Sequence, residues 1–231
     1  MTRAEPTGLP GVFMKPLRCV AGMALMSASA LVLGGHVALA QNIPGSVEIT
    51  AIGGGYFGAQ IFDNLHTEVK TATTYEYGAR LGVNLTEGVG IEASWTYAKP
   101  DLTATTLDSG GVSGTIGQLK SNIYEVDGLF SLGTDTASFY VVLGIGATTL
   151  QPEIADIVTK SSTNLSGSAG IGGKFWLGPH FGVRAEGRWR WVSTGHTTNT
   201  GVWCDPLGVC YGYSTGVYGH ADINAGLTVR F

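Results

Sequence analysis

Charge is scarce in this sequence. Of its 231 residues only 13% are Asp, Glu, Lys or Arg, against 44% hydrophobic and 10% aromatic. Disordered chains show the opposite balance, so disorder is excluded. Basic clusters are missing, which disfavours a nucleic-acid partner. Long apolar runs are missing as well: after Ala40 none is long enough for a membrane-spanning helix. The abundant residue is glycine, 36 in all, without the three-residue period of collagen. Each glycine in a helix costs about 1 kcal/mol relative to alanine, so an all-α fold is excluded. The mean hydropathy of +0.19 is high for a water-soluble domain and low for a helical membrane bundle. The length allows one or two domains, and all-β barrels of this size are commonly single.

Residues 1–40 read as a signal peptide. A short basic region, Met14-Lys15-Pro16-Leu17-Arg18, precedes an apolar stretch from Val20 to Leu33, and Ala38-Leu39-Ala40 is the small-x-small pattern of a cleavage site. The sequence before Met14 is unlike such a leader, which makes Met14 a candidate true start. Cleavage after Ala40 leaves residues 41–231 with ten basic and sixteen acidic side chains, net −6. Two cysteines remain, Cys204 and Cys210, and an even pair in an exported chain suggests a disulfide.

In the mature chain the recurring signal has period two, in eight segments of about ten or more residues, the length of a tilted strand crossing a bilayer. Tyr75, Tyr77, Ala79, Leu81 and Val83 alternate with Glu76, Gly78, Arg80, Gly82 and Asn84. Val89, Ile91, Ala93, Trp95 and Tyr97 alternate with Gly90, Glu92, Ser94 and Thr96. Segments beginning near Phe139, Phe181 and Ala221 repeat the pattern, and weaker versions lie at 47–57, 122–132 and 165–176. Helical spacing would scatter these residues around a cylinder, so strands are expected. Short connections at 86–88, 133–135 and 177–180 alternate with long polar loops near 59–73, 101–117, 151–163 and 194–216. This rhythm is the plan of an outer-membrane barrel with short periplasmic turns, and a soluble β-sandwich would not show it. Tyr56, Phe57, Tyr75, Trp95, Tyr97, Trp176, Phe181, Trp189, Trp191 and Tyr218 fall near strand ends and together predict two aromatic girdles.

The alternating end Leu227-Thr228-Val229-Arg230-Phe231, the hairpin from Gly172 through Pro179 to Arg188, and the four-loop, three-turn layout resemble the small eight-stranded outer-membrane β-barrels of the OmpA transmembrane-domain and opacity-porin type. The resemblance covers residues 46–231. It implies an all-β, eight-stranded, antiparallel, up-and-down transmembrane β-barrel in a Gram-negative outer membrane, surrounded by membrane lipid and lipopolysaccharide. It also implies that Phe231 is read by the barrel-assembly machinery, and it brings no cofactor and no metal.

Parity then places seven acids inside, Glu48, Glu76, Glu92, Glu125, Asp127, Glu186 and Asp222, with six bases, Arg80, Lys174, Arg184, Arg188, Arg190 and Arg230. The alternating row Arg184, Glu186, Arg188, Arg190 is expected to find cross-strand partners such as Glu48, Asp222 and Glu92. An eight-stranded barrel is just wide enough for side chains to fill it. One reading is an ion-pair network plugging the lumen. The other is a narrow path for ions or small solutes, making the protein a small pore or transporter. A third class, a lipid-modifying enzyme or protease at the outer rim, would draw on His196, His220, Asp222, Ser193 and Ser214, but no complete nucleophile-base-acid spacing is visible. His66 and His180 have no evident partner, and the histidines are too scattered for a metal cluster. In the fourth outer loop Asp205-Pro206-Leu207-Gly208 suits a type I turn that would bring Cys204 and Cys210 together, closing a loop worth about 2 kcal/mol. Trp203, Tyr211 and Tyr213 beside it either pack on the rim or form a contact tip for a host surface or phage.

Overall fold

The structure, a computed structural model, describes residues 42–58, 60–64, 67–106, 113–134, 136–154, 161–194, 203–204, 210–211 and 216–231. The expected leader, its cut after Ala40 and the alternative start at Met14 lie outside the described residues, as do His66, His196, Ser214 and Tyr213.

Among the described residues thirteen strands are formed: β1 (Val47–Phe57), β2 (Gln60–Asn64), β3 (Thr67–Thr71), β4 (Thr74–Asn84), β5 (Val89–Ala98), β6 (Asp101–Thr106), β7 (Ser113–Gly133), β8 (Ala137–Ile154), β9 (Ser162–Trp176), β10 (Phe181–Thr194), β11 (Trp203–Cys204), β12 (Cys210–Tyr211) and β13 (Gly216–Arg230). Eight of them close a ring in the order β1-β4-β5-β7-β8-β9-β10-β13, with β13 paired back onto β1 and every neighbour antiparallel. Closure leaves no unpaired sheet edge, which is what allows strands to cross a bilayer.

Three further strands extend one side of the wall beyond the expected segments. β2, β3 and β6 continue β1, β4 and β5 outward: β2 pairs with β3, β3 with β6, and β6 with the first part of β7. β7 and β8 likewise stay paired out to Gly117 and Ile154. Much of what the sequence suggested as loop at 59–73, 101–117 and 151–163 is therefore strand. Thr, Ser and Gly on both faces hid the period in these stretches, while the backbone groups still found partners. Pairing is carried over the interruptions by Ala72 N–H donating to Asp101 O at 2.8 Å and Leu119 N–H donating to Pro100 O at 2.9 Å. The short turns fall where expected. Thr86 and Thr134 tie two of them, each hydroxyl accepting a backbone N–H three residues on, from Val89 at 3.0 Å and Ala137 at 3.2 Å.

Following directly paired residues around the ring gives the stagger. The path runs His220, Arg190, Ser168, Gly144, Asp127, Glu92, Gly82, Glu48 and returns to β13 at Arg230, ten residues from its start. Such a shear tilts the strands by roughly 35–45° and sets which inward side chains meet across the lumen.

The wall is polar inside and apolar outside, the reverse of a sandwich. Leu81, Ile91, Val126, Phe139, Ile145, Ile171, Ile223 and Leu227 are exposed on the outer face, whereas the charged residues between them are buried. A continuous apolar exterior of this extent is stable only against lipid. The aromatic girdles are thinner than the sequence implied. Tyr75, Phe181 and Trp189 point outward, but Tyr56, Trp176 and Tyr218 are 0%, 6% and 5% exposed and point into the lumen. Their rings combine an apolar body with a polar tip and suit either side of the wall, so only the parity of each strand decides.

Candidate functional site in the lumen

All thirteen charged residues assigned to the interior by parity are buried, none more than 7% exposed. They fall into three levels along the barrel. At the short-turn end, Lys174 Nζ pairs with Glu48 Oε2 at 2.5 Å, and Asn84 Nδ2 donates to Glu48 Oε1 at 2.7 Å. Arg230 meets no carboxylate among the described residues. Its guanidinium lies 4.1 Å from the Trp176 ring and donates to Pro179 O at 3.2 and 3.0 Å, closing that mouth.

The middle of the lumen is built around three arginines. Arg184 forks onto Glu92 at 2.6 and 3.2 Å and reaches Glu186 at 2.7 Å. Arg80 pairs with Glu186 at 2.8 Å and lies 3.6 Å from Glu92. Arg188 holds Glu186 through Nε and lies 3.0 Å from Asp127 and 3.3 Å from Glu125. Towards the long loops Arg190 pairs with Asp222, lies 3.2 Å from Glu125 and 4.0 Å from Glu76. Because Glu92, Glu125 and Glu186 each touch more than one guanidinium, the middle and outer pairs form one connected network, which Lys174 approaches over the Tyr140 ring at 5.8 Å, and every charge in it has a partner that offsets its desolvation.

The expected cross-strand partners are met in two cases of three. Glu92 and Asp222 pair with the β10 row. Glu48 does not, because the ten-residue shear displaces it toward Lys174 on β9.

Neutral residues complete the site. Tyr140 alternates with the outward Phe139 and Val141 and so faces the lumen, where its hydroxyl accepts from Arg184 Nε at 2.6 Å and donates to Glu186 at 2.7 Å. Asn224 bridges the levels, accepting from Arg80 at 3.2 Å and donating to Glu76 at 3.4 Å. Above the charges His220 lies against Tyr56, ring centres 4.5 Å apart, and stacks on Tyr218 at 5.7 Å. Beyond it an apolar layer of Val69, Leu102, Leu119, Leu150, Val192 and Tyr218 fills the long-loop end, with Ile61, Ala104 and Ile116 packed on it. Val69, Leu102, Ile61, Ala104 and Ile116 of this layer lie in segments the sequence suggested as loops.

The rim residues weighed for catalysis do not assemble among the described residues. Asp222 faces Arg190, and neither ring nitrogen of His220 has a hydrogen-bond partner among the described residues. Among the described residues no group of three or more His, Cys, Asp or Glu is placed to hold a metal ion. In the fourth outer loop, β11 and β12 form a two-residue ladder that sets Trp203 opposite Tyr211 and Cys204 opposite Cys210. The expected turn at 205–208 lies outside the described residues.

Solved structures share this architecture. The N-terminal β-barrel domain of Pseudomonas aeruginosa OprF aligns with a TM-score of 0.50 at 18% identity, covering 81% of this chain and 98% of that one. Pseudomonas aeruginosa OprG aligns at 0.56 with 12% identity, covering 81% and 96%. Neisserial surface protein A aligns at 0.53 with 8% identity, covering 80% and 97%. At these identities the likeness concerns the fold alone. No curated protein matches the chain. The sequence profile of the outer membrane protein beta-barrel domain matches residues 21–231, so with its closed ring, apolar exterior and charged lumen the chain belongs to that outer-membrane family.

Proposed function

We propose that this protein is a non-conducting outer-membrane barrel with a structural or surface-presenting role, its lumen sealed by ion pairs. The observation that carries the reading is the network, to which every strand of the ring contributes: Glu48, Arg80, Glu92, Asp127, Tyr140, Lys174, Arg184 and Asp222 come from β1, β4, β5, β7, β8, β9, β10 and β13 in turn. An ion crossing the lumen would have to break these pairs and then pass the apolar layer, where water is disfavoured. In planar bilayers the reconstituted protein should give no steady conductance above background. A large, stable conductance would overturn the plug and favour the pore or transporter. The enzyme reading has less support, since Asp222 is engaged by Arg190 rather than oriented on His220.

Phe231 serves as the assembly signal in this reading. It is 71% exposed on the outer face, and its backbone closes the ring on Val47, with N–H···O distances of 2.9 and 3.1 Å. Deleting Phe231 should lower the amount of folded, heat-modifiable barrel recovered from outer membranes severalfold. Undiminished insertion would remove Phe231 as the residue the assembly machinery reads. The outer loops present the contact surface for a host or phage, and a Cys204–Cys210 disulfide, which the cross-strand register favours, would stiffen its tip.

A further inference from the structure

Cations are distributed unevenly over the barrel. Among the described residues the five arginines and Lys174 are buried in the lumen, and the lysines on the outer surface are Lys70, Lys99 and Lys120. These three lie on one side, on β3, at the end of β5 and on β7. Lys99 and Lys120 come together: Ala98 and Ser121, their neighbours, are paired, and both ammonium groups meet the single carboxylate of Glu153 on β8, Lys99 at 3.0 Å. Two cations thus share one anion. An ammonium has three donors, so each lysine keeps N–H groups for another acceptor. Asp101, one step further out, is occupied by Gln118, which donates to it at 2.9 Å.

Directly below Lys99 and Lys120, on β5, β7 and the neighbouring β4, is an outward aromatic patch. Tyr77 packs edge-on against Trp95, ring centres 6.0 Å apart, and lies 5.3 Å from Tyr97. Trp95 is paired with Tyr124, which is 52% exposed, and Tyr75 is 89% exposed. Tyr and Trp at the end of an apolar barrel band mark the height of the membrane boundary. The lysines therefore stand at headgroup level on the long-loop side, which is the outer leaflet in this family's orientation.

We propose that Lys99 and Lys120, which stand side by side on paired strands with the Tyr77-Trp95-Tyr97-Tyr124 patch beneath, form a binding site for a phosphorylated lipid of the outer leaflet. The phosphate takes the free ammonium donors and an acyl chain lies along the aromatic patch. This rests on the outer-membrane location and not on whether the lumen conducts.

The test is titration of the detergent-folded barrel with bisphosphorylated lipid A, with its dephosphorylated form, and with inorganic phosphate alone. Bisphosphorylated lipid A should bind more tightly than the dephosphorylated form, and the difference should shrink as salt rises. The K99Q/K120Q double variant should lose roughly thirtyfold in affinity, counting two membrane-surface cations. E153Q should leave the affinity unchanged or raise it, because it frees both ammonium groups. If the lysines act only through their ion pairs, E153Q and K99Q/K120Q will weaken binding alike, and the proposal fails. Equal binding of the two lipid A forms, or unchanged binding by K99Q/K120Q, also overturns it. Inorganic phosphate competing as strongly as the lipid would make this a free-phosphate site instead.

Discussion

Replacing Arg188 with alanine should destabilise the folded barrel by about 3–5 kcal/mol, the usual cost of leaving buried charges without their partner. Arg188 is 3% exposed and sits where the middle and outer levels of the network join. Its guanidinium touches Glu186, Asp127 and Glu125, and its Nη1 lies 3.5 Å from Ser168 Oγ. Of these, Glu186 keeps Arg80 and Arg184, and Glu125 keeps Arg190. Asp127 has no other ion pair among the described residues, so the alanine variant buries it unneutralised. Arg188→Lys should recover only part of the loss, because an ammonium cannot fork between carboxylates on different strands. Adding Asp127→Asn to the alanine variant should restore stability by removing the stranded charge. Urea titration of the folded barrel in lipid vesicles measures all three. A loss below about 1 kcal/mol for Arg188→Ala would show that the lumen tolerates water in place of the ion pairs and weaken the sealed-plug reading.

The placement of these charges was legible in the sequence because the wall separates lipid from a polar lumen. In such a wall each step of the period-two pattern carries a large change in environment, so Glu76, Arg80 and Glu92 declare their side even in isolation. Partner choice was legible only in part: Glu92 and Asp222 meet the β10 row as expected, but Glu48 does not. It depends on the shear, a property of all eight pairings at once, and a ten-residue displacement takes Glu48 away from the β10 row and gives it to Lys174. The seal at the long-loop end was also missed. Val69, Leu102 and Leu119 stand among Thr, Ser and Gly, and their inward alternation shows only after β3, β6 and β7 are paired. Tyr56 and Tyr218 follow the parity of Glu48 and Asp222 and could have been placed inside by that rule, but their position near strand ends suggested the girdle.

Glycine, the most conspicuous feature of the composition, gives the sharpest test of the layered lumen. Gly172 and Gly173 are adjacent on β9 and face opposite sides of the wall. A Cβ on Gly172 would run into the ring and hydroxyl of Tyr140 and approach Ala185 O to 2.8 Å. A Cβ on Gly173 meets nothing nearer than Ser138 O at 3.6 Å, with the Phe139 ring at 3.7 Å. Gly172 is thus the seat that lets Tyr140 reach Arg184 and Glu186, and Gly144 and Gly170 leave similar room for Asp127 and Arg188. Gly172→Ala must push Tyr140 aside, adding an overpacking cost of about 1–3 kcal/mol to the loss of two hydrogen bonds to charged groups, each worth about 1.5–3 kcal/mol. Gly173→Ala should be neutral or slightly stabilising, since the methyl enters ordinary contact and the unfolded chain loses freedom. The two variants differ from wild type by the same single methyl group, so unfolding in urea compares position alone. If both are tolerated equally, Tyr140 does not sit in the lumen as described and the middle level of the network is wrongly built. If Gly172→Ala alone fails, the inward glycines on β8 and β9 are space reserved for the side chains that close the barrel.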